Sequence, residues 1–373
     1  MNRWLRLALQ TAFGLALLWL WLRTVSVPEV LSHARVHSWA AVVLMISLFW
    51  LTSVIRARRW LLLLRPLAPV GMVRAFAMNA AGGLLNYVLP IRSGDAARAW
   101  WLWRRYHLPA GSALATIVID KTCDLVAVAL VLGVLEVVAV TGVISTPRGL
   151  LGAAALAIVL LAAVLGTGLL GPGVVRSRVA RRLLPDRFAS VIAAQALAFR
   201  VGAQGLWIPA LVARLAALTG LALVIDAFNF TLLFAAVGVS VPTLKAMAAY
   251  PALLLSFAVP AGPGYVGNLE VAGALVLGGG LGLGTAVSAG AIVLYHAITA
   301  ANALALGLVS FLLIGGLRGS RGGGEPTVTV GTGIGHVAEG FDVIDPPSGN
   351  PQAPDSPEVN QATERLAAEA ASA

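Results

Sequence analysis

Residues 86–98 read Asn-Tyr-Val-Leu-Pro-Ile-Arg-Ser-Gly-Asp-Ala-Ala-Arg, and they follow an apolar stretch that is too short for an ordinary membrane-spanning helix. The apolar residues run only from Ala75 to Leu89, and Pro90 closes them. A spanning helix needs about 20 such residues. Irregular backbone at membrane depth is tolerated where it lines a cavity inside the protein. The run therefore predicts a re-entrant hairpin that returns to the side from which it entered.

A second run of this kind is found later in the chain. Residues 260–270 read Pro-Ala-Gly-Pro-Gly-Tyr-Val-Gly-Asn-Leu-Glu and follow a short apolar stretch, 246–259. Two broken segments that enter from opposite sides are typical of inverted-repeat transporters with a site near the bilayer midplane. Two unrelated kinked helices are the alternative interpretation.

The composition places the rest of the chain in a membrane. Of 373 residues, 59% are apolar and 11% are charged, and the mean hydropathy is +0.88, which excludes a soluble enzyme. We expect an all-α polytopic membrane protein with both termini in the cytoplasm, two hairpins and about six full spans in the cytoplasmic membrane. The expected spans are 7–22, 39–55, 112–143, 150–170, 215–237 and 286–313.

The charges are divided unevenly along the chain. Residues 1–317 carry 23 Lys and Arg against 8 Asp and Glu, whereas residues 318–373 carry 3 against 8. The arginines between spans, such as Arg56, Arg58 and Arg59, predict cytoplasmic loops facing anionic lipid, so no nucleic-acid partner is expected. Residues 318–373 have no apolar period and predict a disordered acidic cytoplasmic tail, which leaves 1–317 as the membrane domain.

No cofactor or metal is expected. The single cysteine, Cys123, excludes an intramolecular disulfide and a cysteine-based metal cluster. The sequence contains no motif of a hydrolase, a zinc protease or a nucleotide-binding enzyme, so we expect no catalytic residue.

The first candidate site is the hairpin run itself, with Asn86, Arg92, Asp95 and Arg98. Ser93 could simply cap the helix that follows, with Asp95 in its first turn. Alternatively, a guanidinium beside a free helix N-terminus at membrane depth offers hydrogen-bond donors to a phosphate. We favour the ligand site, because charge inside a membrane is rare unless it is functional.

The second candidate is the charged group Asp120, Lys121 and Asp124 in an apolar helix. Two carboxylates at i,i+4 repel each other unless a cation lies between them. Lys121 or Arg92 could supply that cation. A structural ion-pair cluster and a headgroup or proton site both remain open.

The third candidate is the glycine-rich turn that ends at Glu270. Glu270 is either a charge in the first turn of a helix or a group in the cavity. Prolines end the incoming helix and glycines allow a sharp turn. Six residues are expected to act as structural hinges in the two hairpins: Pro90, Gly94, Pro260, Pro263, Gly264 and Gly267.

Three further polar residues lie inside apolar stretches. Asp226 and Asn229 are interpreted as polar contacts to a neighbouring helix. His296 is expected to form an interhelical hydrogen bond, and a proton carrier is the other interpretation.

Four motifs of the chain can be compared with a known family. They are the Arg56–Leu64 run, the Asn-x-x-x-Pro-x-Arg-x-Gly-Asp-x-x-Arg motif, the charges at 120, 121 and 124, and Pro-Gly-x-x-Gly-x-x-Glu from Pro263. Together they resemble the lysylphosphatidylglycerol synthase transmembrane region, or flippase-like domain family. The resemblance implies re-entrant elements in an inverted repeat and movement of aminoacylated or other polar lipids between leaflets. By position, it implies that Arg92, Asp95, Arg98, Asp124 and Glu270 line the translocation site. His296 stands where an arginine is common, which leaves the substrate class open.

The resemblance also bears on partners and on alternative functions. Expected partners are membrane lipids: an anionic or aminoacylated phospholipid, or a polyprenyl-phosphate lipid. A separate lipid-modifying enzyme and a second copy of the chain are the other partners considered. The synthase domain of bifunctional relatives is not expected in the tail, because the tail is expected to be disordered. Two functions are alternatives to lipid movement. One is a membrane protein related to glycosyltransferases that act on polyprenyl phosphates, and the other is a scaffold for a lipid-modifying enzyme.

Overall fold

In the computed structural model, every regular element of the described residues is helical. The structure describes residues 3–89, 93–140, 197–203, 208–254 and 262–319. The chain divides into two units, residues 1–321 and 322–373, and the second lies outside the described residues. The expected span 150–170 and the expected tail beyond residue 319 also lie outside them, so both stay predictions.

Ten α-helices are named here in chain order. They are α1 (Arg3–Leu22), α2 (Val27–His33), α3 (Trp39–Leu64), α4 (Met72–Val88), α5 (Ser93–Tyr106), α6 (Ala110–Val140), α7 (Pro209–Ala236), α8 (Thr243–Leu254), α9 (Asn268–Gly273) and α10 (Thr285–Gly319). The π-helix Ala274–Gly280 continues α9, and the 3-10 turn Pro263–Tyr265 precedes it.

Three described helices are long and apolar enough to cross a membrane: α3, α7 and residues Thr285–Gly315 of α10. A fourth crossing is possible if α1 and α2 form one span, although the chain bends by 89° between Thr11–Leu22 and Val27–His33. Large apolar side chains face outward on these helices. Leu312, Val43 and Val224 are 75%, 60% and 57% exposed, as suits a lipid-facing surface. The protein is therefore an all-helical membrane protein in its described part, while six spans and an inverted repeat stay predictions.

The expected end of the second span at Ile55 was wrong. Helix α3 continues without a break through Arg56 and Arg59 to Leu64. The sequence interpretation treated these arginines as a cytoplasmic loop, but Arg59 is only 1% exposed. Acidic partners on neighbouring helices offset their charges, so the helix has no reason to leave its packed environment at this point.

Helices α4 and α5 pack closely as a hairpin. A Cβ atom added to Gly94 would lie 1.8 Å from the carbonyl oxygen of Gly82, so the two backbones approach too closely for any side chain. The Asn86 side-chain oxygen accepts a hydrogen bond from the Gly94 N–H at 2.8 Å. The first turn of α5 is thus capped from α4, and not by Ser93, whose hydroxyl donates to the Leu85 carbonyl at 3.5 Å. Pro90 and Arg92 lie outside the described residues.

The second hairpin comprises α8 and the turn that leads into α9. Gly264 and Gly267 have φ values of +70° and +83°, which side-chain-bearing residues rarely adopt. A Cβ atom on Gly267 would also lie 2.0 Å from the Gly14 carbonyl oxygen of α1. The expected role of these glycines as hinges agrees with this geometry, and Pro263 begins the 3-10 turn. Pro260 lies outside the described residues.

An aromatic core joins α3, α7, α8 and α10. The ring centroid of Phe230 lies 5.1 Å from that of Tyr295 and 5.7 Å from that of Tyr250. Phe49 packs on the other side of Tyr295 at 6.2 Å. This core fixes the helices that carry the polar groups described next.

Candidate functional site

Arg59 is the centre of a buried ion-pair cluster on three helices. Its Nε donates to Asp120 Oδ1 of α6 at 2.9 Å, and its terminal nitrogens donate to both carboxylate oxygens of Asp124 at 2.7 and 3.0 Å. The Thr219 hydroxyl of α7 and the Asp120 backbone carbonyl each accept a further bond at 3.0 Å. A guanidinium has five N–H groups, so all of its donors are used.

This geometry identifies the cation that the two carboxylates require. The sequence interpretation offered Lys121 or Arg92, but Arg59 lies between Asp120 and Asp124. Lys121 makes no ion pair with any described residue. The predicted cation between the two carboxylates is present and is Arg59 and not Lys121, whereas Arg92 lies outside the described residues.

Arg98 on α5 is equally buried but far less well paired. Its Nη1 lies 3.6 Å from Asp95 Oδ1 and its Nη2 lies 3.5 Å from Asp120 Oδ2, both longer than ordinary charge-assisted hydrogen bonds. Within the described residues, no atom forms a well-aligned hydrogen bond with its Nε or Nη2. The guanidinium carbon lies 4.0 Å from the ring centroid of Trp60, a cation–π contact. Arg98 is thus a buried charge with unused donors.

The end of α4 supplies the neighbours of Arg98. The Asn86 side-chain nitrogen donates to Asp95 Oδ1 at 3.2 Å. Gly82 makes room for the arginine, because a Cβ atom there would lie 2.8 Å from Arg98 Cγ and Cδ. Asn86, Asp95, Arg98, Asp120 and Asp124 therefore form one connected group, which combines residues of the first and second candidate sites, and their role in binding a substrate stays a prediction.

A second ion pair lies between α3 and α7. Arg56 Nη2 lies 2.6 Å from Asp226 Oδ2, and the same oxygen accepts from the Tyr250 hydroxyl of α8 at 3.1 Å. The interpretation of Asp226 as a polar contact to a neighbouring helix is confirmed. Asn229 is fully buried, but its side-chain amide forms no hydrogen bond with any described residue, so the structure shows no such contact for Asn229.

Glu270 lies in a second polar group with His296, and its expected place in the translocation site stays a prediction. Its Oε1 lies 2.5 Å from His296 Nδ1 of α10, and its Oε2 accepts from the Gly267 N–H at 2.7 Å. His296 Nε2 lies 2.7 Å from the Gly264 carbonyl oxygen and 3.0 Å from the Tyr87 hydroxyl of α4. The expected interhelical hydrogen bond of His296 is confirmed. Glu270 contacts neither Asp95 nor Asp124 by hydrogen bond or ion pair.

The two polar groups meet at adjacent residues of α4. Asn86 contacts Asp95 and Gly94, whereas Tyr87 contacts His296. The ring of Tyr87 also lies 5.9 Å from that of Tyr265 in the turn of the second hairpin. The end of α4 therefore joins the two hairpins.

Sequence reasoning missed several members of these groups. Arg59 and Arg56 were taken for loop arginines, and Tyr87 and Thr219 were passed over. The continuation of apolar residues from Trp60 to Leu64 was the available signal that α3 does not end before Arg59. Within the described residues, no group of three or more His, Cys, Asp or Glu could hold a metal ion.

Comparison with known protein families matches residues 6–307 to the lysylphosphatidylglycerol synthase TM region. Comparison with curated proteins and with solved structures found no significant match. The family match spans most of the chain and includes both hairpins and both polar groups. The chain therefore belongs to the lysylphosphatidylglycerol synthase TM region family.

Proposed function

We propose that this protein moves a polar, phosphate-containing lipid between the leaflets of the cytoplasmic membrane, with both of its termini in the cytoplasm. The family membership supports a membrane protein related to lipid modification. The two polar groups, joined by the end of α4, would form the path of the lipid headgroup. In this proposal the protein performs no chemical step, and any lipid-modifying enzyme is a separate partner.

The observation that carries the proposal is the unequal pairing of Arg59 and Arg98. Arg59 uses all five donors within the protein and holds three helices together. Arg98 is 1% exposed, yet its Nε and Nη2 have no hydrogen-bond partner in the part of the chain that the structure describes. Leaving a buried donor without a hydrogen bond costs about 1–3 kcal/mol of stability, and the cost is larger when the donor belongs to a charged group. Such a cost is expected where a ligand completes the site.

A phosphate group fits the unused donors of Arg98. Guanidinium groups bind phosphate oxygens through two parallel N–H bonds, which gives geometric specificity as well as energy. The stacking of Arg98 on Trp60 fixes the plane of the guanidinium and so orients these donors. Asp95, at 3.6 Å from Nη1, partly offsets the positive charge of the Arg98 guanidinium. A headgroup that enters with a phosphate would displace this long ion pair.

The test uses purified protein in liposomes that contain a fluorescent phosphatidylglycerol or a fluorescent polyprenyl phosphate. A membrane-impermeant quencher reports the fraction of each lipid in the outer leaflet. Arg98→Ala removes the proposed phosphate ligand, and Arg104→Ala removes an exposed arginine from the same helix as a matched control. Arg98→Lys keeps the charge and guards against loss of folding, which is checked by thermal unfolding of each variant in detergent.

We expect lipid movement in liposomes with wild type and Arg104→Ala, a strong reduction with Arg98→Ala and an intermediate rate with Arg98→Lys. If neither lipid moves faster than in protein-free liposomes, or if folded Arg98→Ala moves them at the wild-type rate, the transport proposal is wrong. A transferase or scaffold would then explain the family membership better.

A further inference from the structure

Three groups contact the ring nitrogens of His296, and together they constrain where its protons lie. Nε2 faces the Gly264 carbonyl oxygen at 2.7 Å and the Tyr87 hydroxyl at 3.0 Å. Nδ1 faces Glu270 Oε1 at 2.5 Å. The second oxygen of Glu270 is occupied by the Gly267 N–H at 2.7 Å. The ring thus ties α10 to the turn of the second hairpin and to α4.

The contact with Gly264 requires a hydrogen on Nε2. A carbonyl oxygen only accepts hydrogen bonds, and a deprotonated imidazole nitrogen also only accepts. At 2.7 Å, two acceptors would face each other with no hydrogen between them. Nε2 must therefore donate, and the Tyr87 oxygen shares that hydrogen.

The contact with Glu270 then requires a second proton. If Nε2 carries the only ring hydrogen, Nδ1 presents a lone pair to Glu270 Oε1, and a carboxylate also presents lone pairs. The 2.5 Å contact is possible only if a proton lies between the two atoms, either on Nδ1 or on the carboxyl oxygen. This geometry therefore contains one proton more than neutral His296 and ionised Glu270 hold together.

We propose that Glu270 and His296 form a binding site for a single proton, and that occupancy of this site holds the turn of the second hairpin against α10. Loss of the proton leaves the ring with one hydrogen, which can serve either the Glu270 carboxylate or the Gly264 carbonyl oxygen, so the ring loses one of these two hydrogen bonds. The Gly267–Glu270 hydrogen bond belongs to the turn itself, and the turn moves with Glu270. The full set of contacts between His296 and the turn thus exists at low pH and is lost as the pH rises.

The other titratable groups nearby do not supply the missing proton. Tyr87 from α4 and Tyr265 from the turn flank the pair, and Tyr87 faces Nε2 and not Nδ1. On α10, Tyr295 packs on Phe49 and Phe230. From α3 and α7, Arg56 and Asp226 pair with each other. The proton at the Nδ1–Oε1 contact therefore comes from water.

This inference rests on the proposed function only for the role of the proton. In that function, a proton that closes one hairpin would couple lipid movement to a pH gradient. Chains of Asp, Glu and His carry protons in other membrane transporters. The proton site itself can be tested without any lipid substrate.

The test is hydrogen–deuterium exchange of the full-length protein in detergent at about pH 5.5 and about pH 8.5, values that bracket ordinary histidine titration. A peptide covering residues 262–273 reports the turn, and one covering residues 72–80 of α4 corrects for the intrinsic pH dependence of exchange. We expect the protection of the turn in wild type to fall about tenfold or more at the higher pH, because the closed contact is lost.

Glu270→Gln gives the opposite expectation. A glutamine amide donates to neutral Nδ1 while its oxygen still accepts from Gly267, so every hydrogen bond is satisfied without the extra proton. The turn should then stay protected at both pH values. His296→Gln, which removes the titrating ring, should also remove the pH dependence, and Glu29→Gln, at an exposed site on α2, should leave it intact.

The proposal is overturned if protection of the turn in wild type is equal at both pH values, or if Glu270→Gln and His296→Gln retain the wild-type pH dependence. A pH-dependent turn in a protein that moves no lipid would support the proton site and count against the transport function. Lipid movement together with a pH-independent turn would support the transport function and count against the proton site.

Discussion

Arg59 and Asp120 lie 61 residues apart in the sequence and form a 2.9 Å ion pair between α3 and α6 in which both side chains are almost fully buried. Asp124, one helical turn further along α6, binds the same guanidinium. Without Arg59, the two carboxylates would repel each other across a single turn. The ion pair is therefore a condition for α6 to pack against α3.

Arg59→Leu is expected to destabilise the protein strongly, because it leaves two buried carboxylates without their cation. Breaking a buried pair by removing one partner costs about 3–5 kcal/mol. Thermal unfolding in detergent measures the effect. Arg58→Leu is the control, since this neighbouring arginine makes no ion pair with a described residue. Equal stability of the two variants would contradict the structural role of Arg59.

Gly94→Ala is expected to disrupt the first hairpin. The new Cβ would lie 1.8 Å from the Gly82 carbonyl oxygen, and a backbone atom cannot move aside as a flexible side chain can. Gly83 lies on α4 next to Gly82, and the Cβ of Gly83→Ala would meet no described atom within 4 Å, so this variant should stabilise α4 by about 0.5–1 kcal/mol. Unfolding temperatures of the two variants provide the comparison, and a tolerated Gly94→Ala would show that α4 and α5 are not so close.

Local features of both hairpins could be predicted from the sequence. Gly264 and Gly267 adopt positive φ because a sharp turn requires it, and that requirement is visible in a run of prolines and glycines. Asn86, Asp95 and Arg98 lie within 13 residues of one another, so their proximity in a hairpin also follows from the local pattern. Short-range geometry limits the arrangements that such a segment can adopt.

The long-range pairings could not be predicted. The sequence indicated that Asp120 and Asp124 need a cation, but the choice of Arg59 depends on how α3 and α6 pack. The pairing of Glu270 with His296 could not be predicted for the same reason, because His296 is 26 residues away on another helix. An arginine after an apolar run is typical of a cytoplasmic loop, and only acidic partners on other helices distinguish the buried case.

The membrane orientation gives a third prediction. Arg58 lies near the end of α3, and Arg65 and Arg74 follow this helix in the sequence. A surplus of arginines favours the cytoplasmic side of the membrane. Ser32, before α3, should therefore face outward and Gly71, after it, inward. Single cysteines at these two exposed positions in a Cys123→Ala background should react oppositely with an impermeant thiol reagent in intact cells. Identical labelling would overturn the orientation.

The acidic tail gives a fourth prediction. Residues 318–373 lack the apolar residues needed to pack against a membrane domain, so truncation after Gly324 should leave stability and lipid movement close to those of the full chain. Thermal unfolding and the liposome assay measure the two properties. A large loss in either would mean that the tail contacts the membrane domain.

Arg92 provides the last prediction, which rests on the sequence because this residue lies outside the described part of the structure. It stands two residues before Gly94 in the sequence, directly before the first residue of α5, where the positive end of the helix dipole favours a phosphate. Arg92→Ala should slow lipid movement about tenfold or more, as expected for loss of a charge-assisted hydrogen bond of about 1.5–3 kcal/mol. Arg92→Lys should slow it less but measurably, because lysine keeps the charge and loses the two parallel bonds. Arg104→Lys is the matched control and should resemble wild type. The liposome assay compares these variants at equal thermal stability, and a wild-type rate for Arg92→Ala would remove this arginine from the headgroup path.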